Sequence, residues 1–455
     1  MSELRALWKL AFPIVISQIG FVSMGLVDTL IVGPMGPDAL SAMSLGNTFF
    51  FGILIFGLGT IMALDSWVSQ AFGANDLEAC SVGLVQGVWL AVGLWPILVL
   101  AMMATPSLLR VCGYEPAMIE LMEVYLDPLR WGVLPALLFK TYRCALAAVD
   151  VTKPLVVAAV LANLANWGLD VWFIEGGMGL PALGVEGVAW ATTACRLVLF
   201  APLFLTVHLG PRFRHYPRPS LAPDPAVLKS LWKVGLPIGL QYGIEVGCFS
   251  GAAVLMGLKG TVPLAAHQVA LNIAALLFMV PMGIGAAAAV RTGQARGAGS
   301  AEGVRRAGWA AIHSGLGFAV LSATLLSLGR HEIVALYRVA PEIFLLSVDF
   351  LLIAAVFQLG DAVQAISLGV LRGLGDTRVP FFIVLAGYGL AAAPIGIGGA
   401  FYWTDDPRWI WYGLATGLFV VAVALIVRFW SLTRQGGQPR DRDATRDRGP
   451  WSAPA

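Results

Sequence analysis

Apolar residues in this chain run on until Gly, Pro or a charge interrupts them; they do not alternate with polar ones. A helix needs about 20 such residues to cross the hydrocarbon core of a membrane, and only helices or closed barrels satisfy their backbones there. Barrel strands would show short period-two alternation, which the sequence lacks. The runs predict twelve spanning helices, centred near residues 21, 54, 94, 131, 165, 195, 242, 274, 316, 355, 389 and 418. The count is open by one between 107 and 145, where Glu115, Glu120, Glu123, Asp127 and Arg130 break the pattern.

The pattern also repeats. LRALWKLAFPI at 4–14 matches LKSLWKVGLPI at 228–238 in six of eleven positions, at an offset of 224. QAFGA at 70–74 returns as QARGA at 294–298, again offset by 224. Gly57-Leu-Gly59 matches Gly283-Ile-Gly285, and Asp150…Pro154 matches Asp376…Pro380, both offset by 226. Six helices per copy is an even number, so both copies enter the membrane from one side. Their axis then lies along the membrane normal, with a transport path where they meet. The expected organisation is a first lobe, residues 1–206 with helices 1–6, and a Pro- and Arg-rich connector, 207–227. A second lobe, 228–433 with helices 7–12, follows, then a disordered polar tail, 434–455.

Composition removes other classes. Of 455 residues, 58% are hydrophobic and 12% charged, against roughly 25% charged in soluble domains. Acids and bases nearly cancel, 27 against 29, so there is no basic footprint for nucleic acid. The five cysteines, Cys80, Cys112, Cys144, Cys195 and Cys248, are scattered without a CxxC. They indicate neither a disulfide framework nor a zinc site. The Lys and Arg residues set the orientation. With both termini cytoplasmic, the inner side takes Arg5, Lys9, Lys140, Arg143, Lys153, Arg212, Arg214, Arg218, Lys229, Lys233, Arg291, Arg296, Arg305, Arg306, Arg372, Arg378 and six from Arg428 onward. The outer loops keep Arg110, Lys259, Arg330, Arg338 and Arg408, a division of 22 to 5. Arg130 and Arg196 fall within the membrane or stay unassigned. The expected location is the cell inner membrane, as a multi-pass protein.

An ionisable group inside a spanning helix costs roughly 2.5–3.5 kcal/mol to insert, which makes each one a candidate site. Asp28, Asp170, Glu245, Asp349 and Asp361 lie in apolar runs; Asp65 and Glu186 lie near run ends, and with Asp349 read as interfacial or structurally paired. Embedded acids outnumber embedded bases, which favours cations as cargo. Asn166 and Asp170, four apart, share a helix face, with Asn163 a turn earlier and the hydroxyls of Thr192 and Thr193 in the next helix. Gln241 and Phe249 flank Glu245 by one turn each. Gln358, Asp361 and Gln364 form a polar stripe that must face protein or water. His267 opens the eighth run and is able to titrate near neutrality, with a satisfied helix-terminal histidine as the plainer reading. The carboxylates with their carbonyl and hydroxyl neighbours suit a proton or Na⁺. No GxxxxGK[ST] occurs, so ATP is not the direct driver, and no catalytic constellation stands out, so the chain reads as no enzyme.

Taken together, FPIVISQ…VDTLIVGPMG, QAFGAND, ANWGLDVWFI…GVEGVAWATT, GLPIGLQYGIE, AAHQVALN and QLGDAVQAISLGVLRGLGDTRVP are specific. Over about residues 4–430 the chain resembles the multidrug and toxic compound extrusion (MATE) transporters of the NorM-like branch, with features shared with the DinF-like branch. The resemblance implies two six-helix lobes in a V, and export of amphipathic organic cations in exchange for H⁺ or Na⁺ by alternating access. It implies a monomer in the lipid bilayer with no cofactor beyond the coupling ion. Asp28, Asn166, Asp170 and Thr192 match the first-lobe coupling network, and Glu245 and Asp361 the second-lobe acids, where Na⁺ would bind. Gln241, His267, Phe357, Gln358 and Gln364 are the accompanying candidates for substrate binding. A Tyr common in the family is Phe357 here, which weighs against Na⁺ in the second lobe. The alternative is a lipid-linked oligosaccharide flippase of the same superfamily; its anionic substrate would want embedded Arg or Lys, and only Arg130 and Arg196 are on offer.

Overall fold

The structure, a computed structural model, describes residues 2–176 and 181–435. It is all-helical, with no strand among the described residues. In chain order the helices are α1 (Glu3–Val32), α2 (Pro37–Ile61), α3 (Ala63–Gly73), α4 (Leu77–Val111), α5 (Pro116–Trp131), α6 (Val133–Ala148), α7 (Lys153–Glu175) and α8 (Val185–Leu209). Then come α9 (Pro225–Lys259), α10 (Thr261–Gly297), α11 (Ala301–Ala335), α12 (Pro341–Gly373), α13 (Arg378–Ala386), α14 (Ala393–Gly398) and α15 (Arg408–Gln435). Eleven helical stretches among the described residues are long and apolar enough to span a membrane. The twelfth run, near 131, is built from α5 and α6, each 16 residues long, meeting at Gly132. Backbone bonds from Gly132 N–H to Leu129 and Arg130 keep that junction nearly helical. The expected tail lies, from residue 436 on, outside the described residues.

The sequence repeat reappears in the turns. Gly36 (φ 110°) precedes α2 and Gly260 (φ 123°) precedes α10, 224 positions later. Asn75 (φ 59°) and Gly299 (φ 70°) are likewise paired; this left-handed conformation suits glycine and asparagine. The next residues cap the following helices: Asp76 accepts the Ala79 N–H at 2.8 Å and Ser300 accepts the Gly303 N–H at 3.0 Å. Each cap satisfies one of the orphan donors of a helix start.

Two compact units divide the chain. The first comprises Ile16–Gly243; the second comprises Met1–Val15 with Ile244–Ala455. Helices α1 and α9 therefore contribute one part to each. In the first unit the start of α9 lies against α2 so closely that a Cβ at Gly235 would stand 2.2 Å from the Thr60 carbonyl oxygen. In the second unit the start of α1 lies against α10, where a Cβ at Gly283 would stand 2.4 Å from the Val15 side chain. Small residues permit such backbone approach where lipid supplies no hydrophobic drive.

The connector is bonded to the first unit. Gln86 of α4 donates to the Ala222 carbonyl (3.0 Å) and accepts from the Asp224 N–H (2.9 Å), and the Trp89 indole donates to the Leu221 carbonyl (2.8 Å). Arg212 reaches the Val149 carbonyl at 2.7 Å.

Candidate functional site

Each unit holds one carboxylate cluster. In the first, α7 sets Asn163, Asn166 and Asp170 along one face, and the face meets α1 and α8. The Asn166 amide has two hydrogens, and both go to carboxylates: Asp28 Oδ1 at 2.8 Å and Asp170 Oδ2 at 2.9 Å. Asn166 and Asp170 are completely buried, and Asp28 is 7% exposed. One amide thus holds both carboxyls, and a hydrogen bond directly between them would exist only when one carries a proton. The Thr192 hydroxyl stands 2.9 Å from the Val188 carbonyl and 3.2 Å from Asp28 Oδ2. It has one hydrogen, so serving the carbonyl leaves its lone pairs facing Asp28, positioned to accept a proton held there. Two buried oxygens, Asn166 Oδ1 and Asp170 Oδ1, have no partner among the described residues.

Asn163, a turn before the Asn166 and Asp170 pair, does different work. Its amide donates to the Gly20 carbonyl (2.9 Å) and to its own helix at Ala159 (2.8 Å). It staples α1 to α7. Thr193 likewise donates to the Pro128 carbonyl at 2.9 Å and holds α8 to α5.

In the second unit the polar stripe of α12 is real. Gln364 donates to Glu245 Oε1 of α9 at 3.1 Å and reaches the Tyr388 hydroxyl at 3.4 Å. Asp361, one turn earlier, is buried and within electrostatic reach of Glu245. Gln358 ties α12 to α10 through the Ala274 carbonyl (3.0 Å), and its Oε1 has no partner among the described residues. Phe357 is buried in an aromatic wall, edge-on to Trp411 at 5.6 Å and to Phe249 at 6.0 Å. His267 sits seven residues into α10, wholly buried beside Trp411 at 5.5 Å, and neither ring nitrogen has a hydrogen-bond partner among the described residues. Gln241 is buried too, but it precedes the division at 243 and belongs to the first unit. The structure thus gathers Glu245, Asp361 and Gln364 and sets Phe357, Gln358 and His267 on the same helices, while Gln241, one turn before Glu245 on α9, is counted with the first unit.

Of the remaining acids, Asp349 and Glu186 are paired locally, and Asp65 of α3 is buried. Asp349 is half-exposed and pairs with Arg408 at 3.6 Å. Glu186 accepts the Trp190 indole N–H at 3.2 Å. Arg130 pairs with Asp127 one turn away at 2.6 Å. Among the described residues no group of three or more His, Cys, Asp or Glu is arranged to hold a metal ion.

Two side chains near the clusters, Tyr125 and Tyr388, went unread in the sequence, and a third, Arg196, was read only as an embedded base. Tyr125 of α5 is buried within electrostatic reach of Asp28 and Asp170. Arg196, one turn after Thr192, is buried with its guanidinium 4.2 Å over the Phe50 ring. Tyr388 comes from a π-helical segment, Gly387–Ala392, between α13 and α14; it brings a phenol to Gln364 of the cluster. Of the three, Arg196 alone carried a signal, a charge in an apolar run.

Comparison with known proteins follows the repeat. The MatE family model matches twice, over residues 13–172 and 237–397. A probable multidrug resistance protein NorM of Mesorhizobium japonicum is 35% identical over 443 residues, covering 94% of each chain. Its namesake from Bradyrhizobium diazoefficiens is 37% identical over 437 residues, covering 94% of this chain and 93% of that one. Among solved structures, the eukaryotic MATE transporter AtDTX14 matches with a TM-score of 0.87 at 20% identity, covering 95% of this chain and 98% of that one; this likeness speaks for the fold.

Proposed function

The chain belongs to the MatE family, and from that we infer a secondary active multidrug efflux antiporter that exports amphipathic organic cations in exchange for H⁺ or Na⁺. Residues 1–206 and 228–433 are its two lobes, joined by 207–227, and both termini face the cytoplasm at the inner membrane. It works as a monomer. The observation that carries this reading is the Asn166 amide shared between Asp28 and Asp170. One buried donor group holds two carboxyls together, and a proton between them or on Asp28 completes the hydrogen bonding. A cation drawn from the cytoplasm by ionised carboxylates is released when protons from outside neutralise them. Glu245 and Asp361 with Gln364 supply a second cluster of oxygen ligands, where Na⁺ or the organic cation binds. A potential of 100 mV contributes about 2.3 kcal/mol per net charge moved, or roughly 50-fold, so one H⁺ exchanged for a monovalent cation draws on the pH gradient alone.

The test is efflux of a fluorescent organic cation from proteoliposomes under separately imposed H⁺ and Na⁺ gradients. Wild type should respond to at least one. Asp28→Asn mimics the protonated carboxyl permanently, so its efflux should fall at least about tenfold and lose its dependence on the pH gradient. Glu245→Gln and Asp361→Asn should impair efflux as well. Normal efflux by all three variants at wild-type expression would refute the antiporter assignment of these clusters. The flippase alternative is not favoured by relatives named for multidrug resistance.

A further inference from the structure

The first unit buries a cation beside its carboxylates. Arg196 follows Thr192 by four residues, so the guanidinium and the hydroxyl that reaches Asp28 share one face of α8. The place for it is built from three other elements. On α2, the Phe50 ring lies 4.2 Å beneath the guanidinium carbon, a favourable cation–aromatic arrangement. At the junction of α5 and α6, a Cβ on Gly132 would stand 2.6 Å from Arg196 Nη1, so the guanidinium lies close against the bare backbone there. Nη1 is buried there with no hydrogen-bond partner among the described residues. Its charge acts instead through space on Asp28 of α1 and Tyr125 of α5. The other titratable group beside it is Cys195 on α8 itself; Asp170 of α7 is reached through Asp28, with which it shares the Asn166 amide.

An arginine in a protein keeps its charge. Two ionised carboxylates and one guanidinium sum to a single negative charge, and one added proton brings the cluster to neutrality. Without the guanidinium, the same low-dielectric site would hold two uncompensated negatives, each of which disfavours the other. We propose that Arg196 is a resident counter-ion that limits the Asp28–Asp170 pair to one proton per cycle and sets the pH at which the pair fills and empties. It is a positioning and tuning residue, and the proposal rests on the proton-coupling reading given above.

The experiment follows carboxyl protonation directly, by the infrared band of protonated carboxyl groups in the full-length purified protein in lipid discs, titrated over pH. In wild type the pair-dependent part of the band, defined as what Asp28→Asn and Asp170→Asn together remove, should have the amplitude of one carboxyl; an amplitude of two overturns the proposal without altering Arg196. In Arg196→Gln the titration midpoint should move to higher pH, with proton binding about tenfold tighter or more, because no positive charge then opposes the arriving proton. Arg196→Lys keeps the charge and should stay near the wild-type midpoint. An unmoved midpoint in Arg196→Gln, or an equal shift in Arg196→Lys, overturns the counter-ion role. If the double variant Asp28→Asn with Asp170→Asn removes no band at all, the failure belongs to the proton-coupling reading.

Discussion

Asn166 and Asn163 are three residues apart on α7, chemically identical, and set against the same neighbouring helix, yet they answer to different parts of it. Asn166 meets carboxylates, while Asn163 meets the Gly20 carbonyl. Asn166→Leu should therefore abolish coupled efflux, because two buried carboxyls lose their shared donor at about 1.5–3 kcal/mol each. Asn163→Ala should lower the melting temperature in detergent by removing roughly 1 kcal/mol of helix stapling, while efflux per folded molecule stays close to wild type. Equal loss of efflux in both variants would erase this distinction. Spacing alone reveals which residues share a face; it does not reveal what the facing helix presents. That is why Asp28, Asn166, Asp170, Glu245, Asp361 and Gln364 were legible, as polar interruptions of apolar runs, while the separate duty of Asn163 was not. Tyr125 lay in a charge-rich stretch where one phenol carries no pattern. Tyr388 sits in a π-helical turn, where the wider spacing shifts residues off the faces that a 3.6-residue period assigns.

At the scale of elements, run length placed the helices well because the bilayer thickness that demands about 20 apolar residues is a constant. What it left open was how helices pack, since lipid is as apolar as leucine and the lipid-facing and protein-facing sides look alike in sequence. Glycine at a contact is the more informative residue. Gly235→Ala would drive a methyl group to 2.2 Å from the Thr60 carbonyl, a backbone atom that no rotamer change can move aside. The expected cost is about 1–3 kcal/mol, read as a lower melting temperature. Gly243→Ala, eight residues on in α9 with nothing within 4 Å of the new methyl, should instead leave melting unchanged or raise it, since alanine favours a helix over glycine by about 1 kcal/mol. A matching loss at both positions would mean that helix flexibility, rather than the contact with α2, sets the stability. The broken run at 116–148 has a related cause. Its midpoint is Gly132, and the space beside that glycine is taken by Arg196 and Thr193.

For the whole molecule, the connector expected between halves is fastened along one of them. Gln86→Leu removes a donor to Ala222 and an acceptor for Asp224, so limited trypsin digestion should cut after Arg212 or Arg214 several-fold faster than in wild type; an unchanged rate would show that Trp89 and Arg212 hold the strap alone. The repeat itself was visible in sequence as a 224-residue offset, but its copies do not coincide with the compact units, because the opening parts of α1 and α9 pack with the other copy's helices. This has a consequence for the order of synthesis. A ribosome that has delivered residues 1–206 has made a whole sequence repeat without completing a unit: the surface of α2 at Gly59 and Thr60 still lacks the strip around Gly235 and Gly239 that will cover it. The opening strip around Val15, already inserted, has to wait for Gly283 to emerge before it finds its own neighbour. Neither unit closes early, so an intermediate with both contact strips uncovered must be sheltered by the insertion machinery until translation is well into the second repeat.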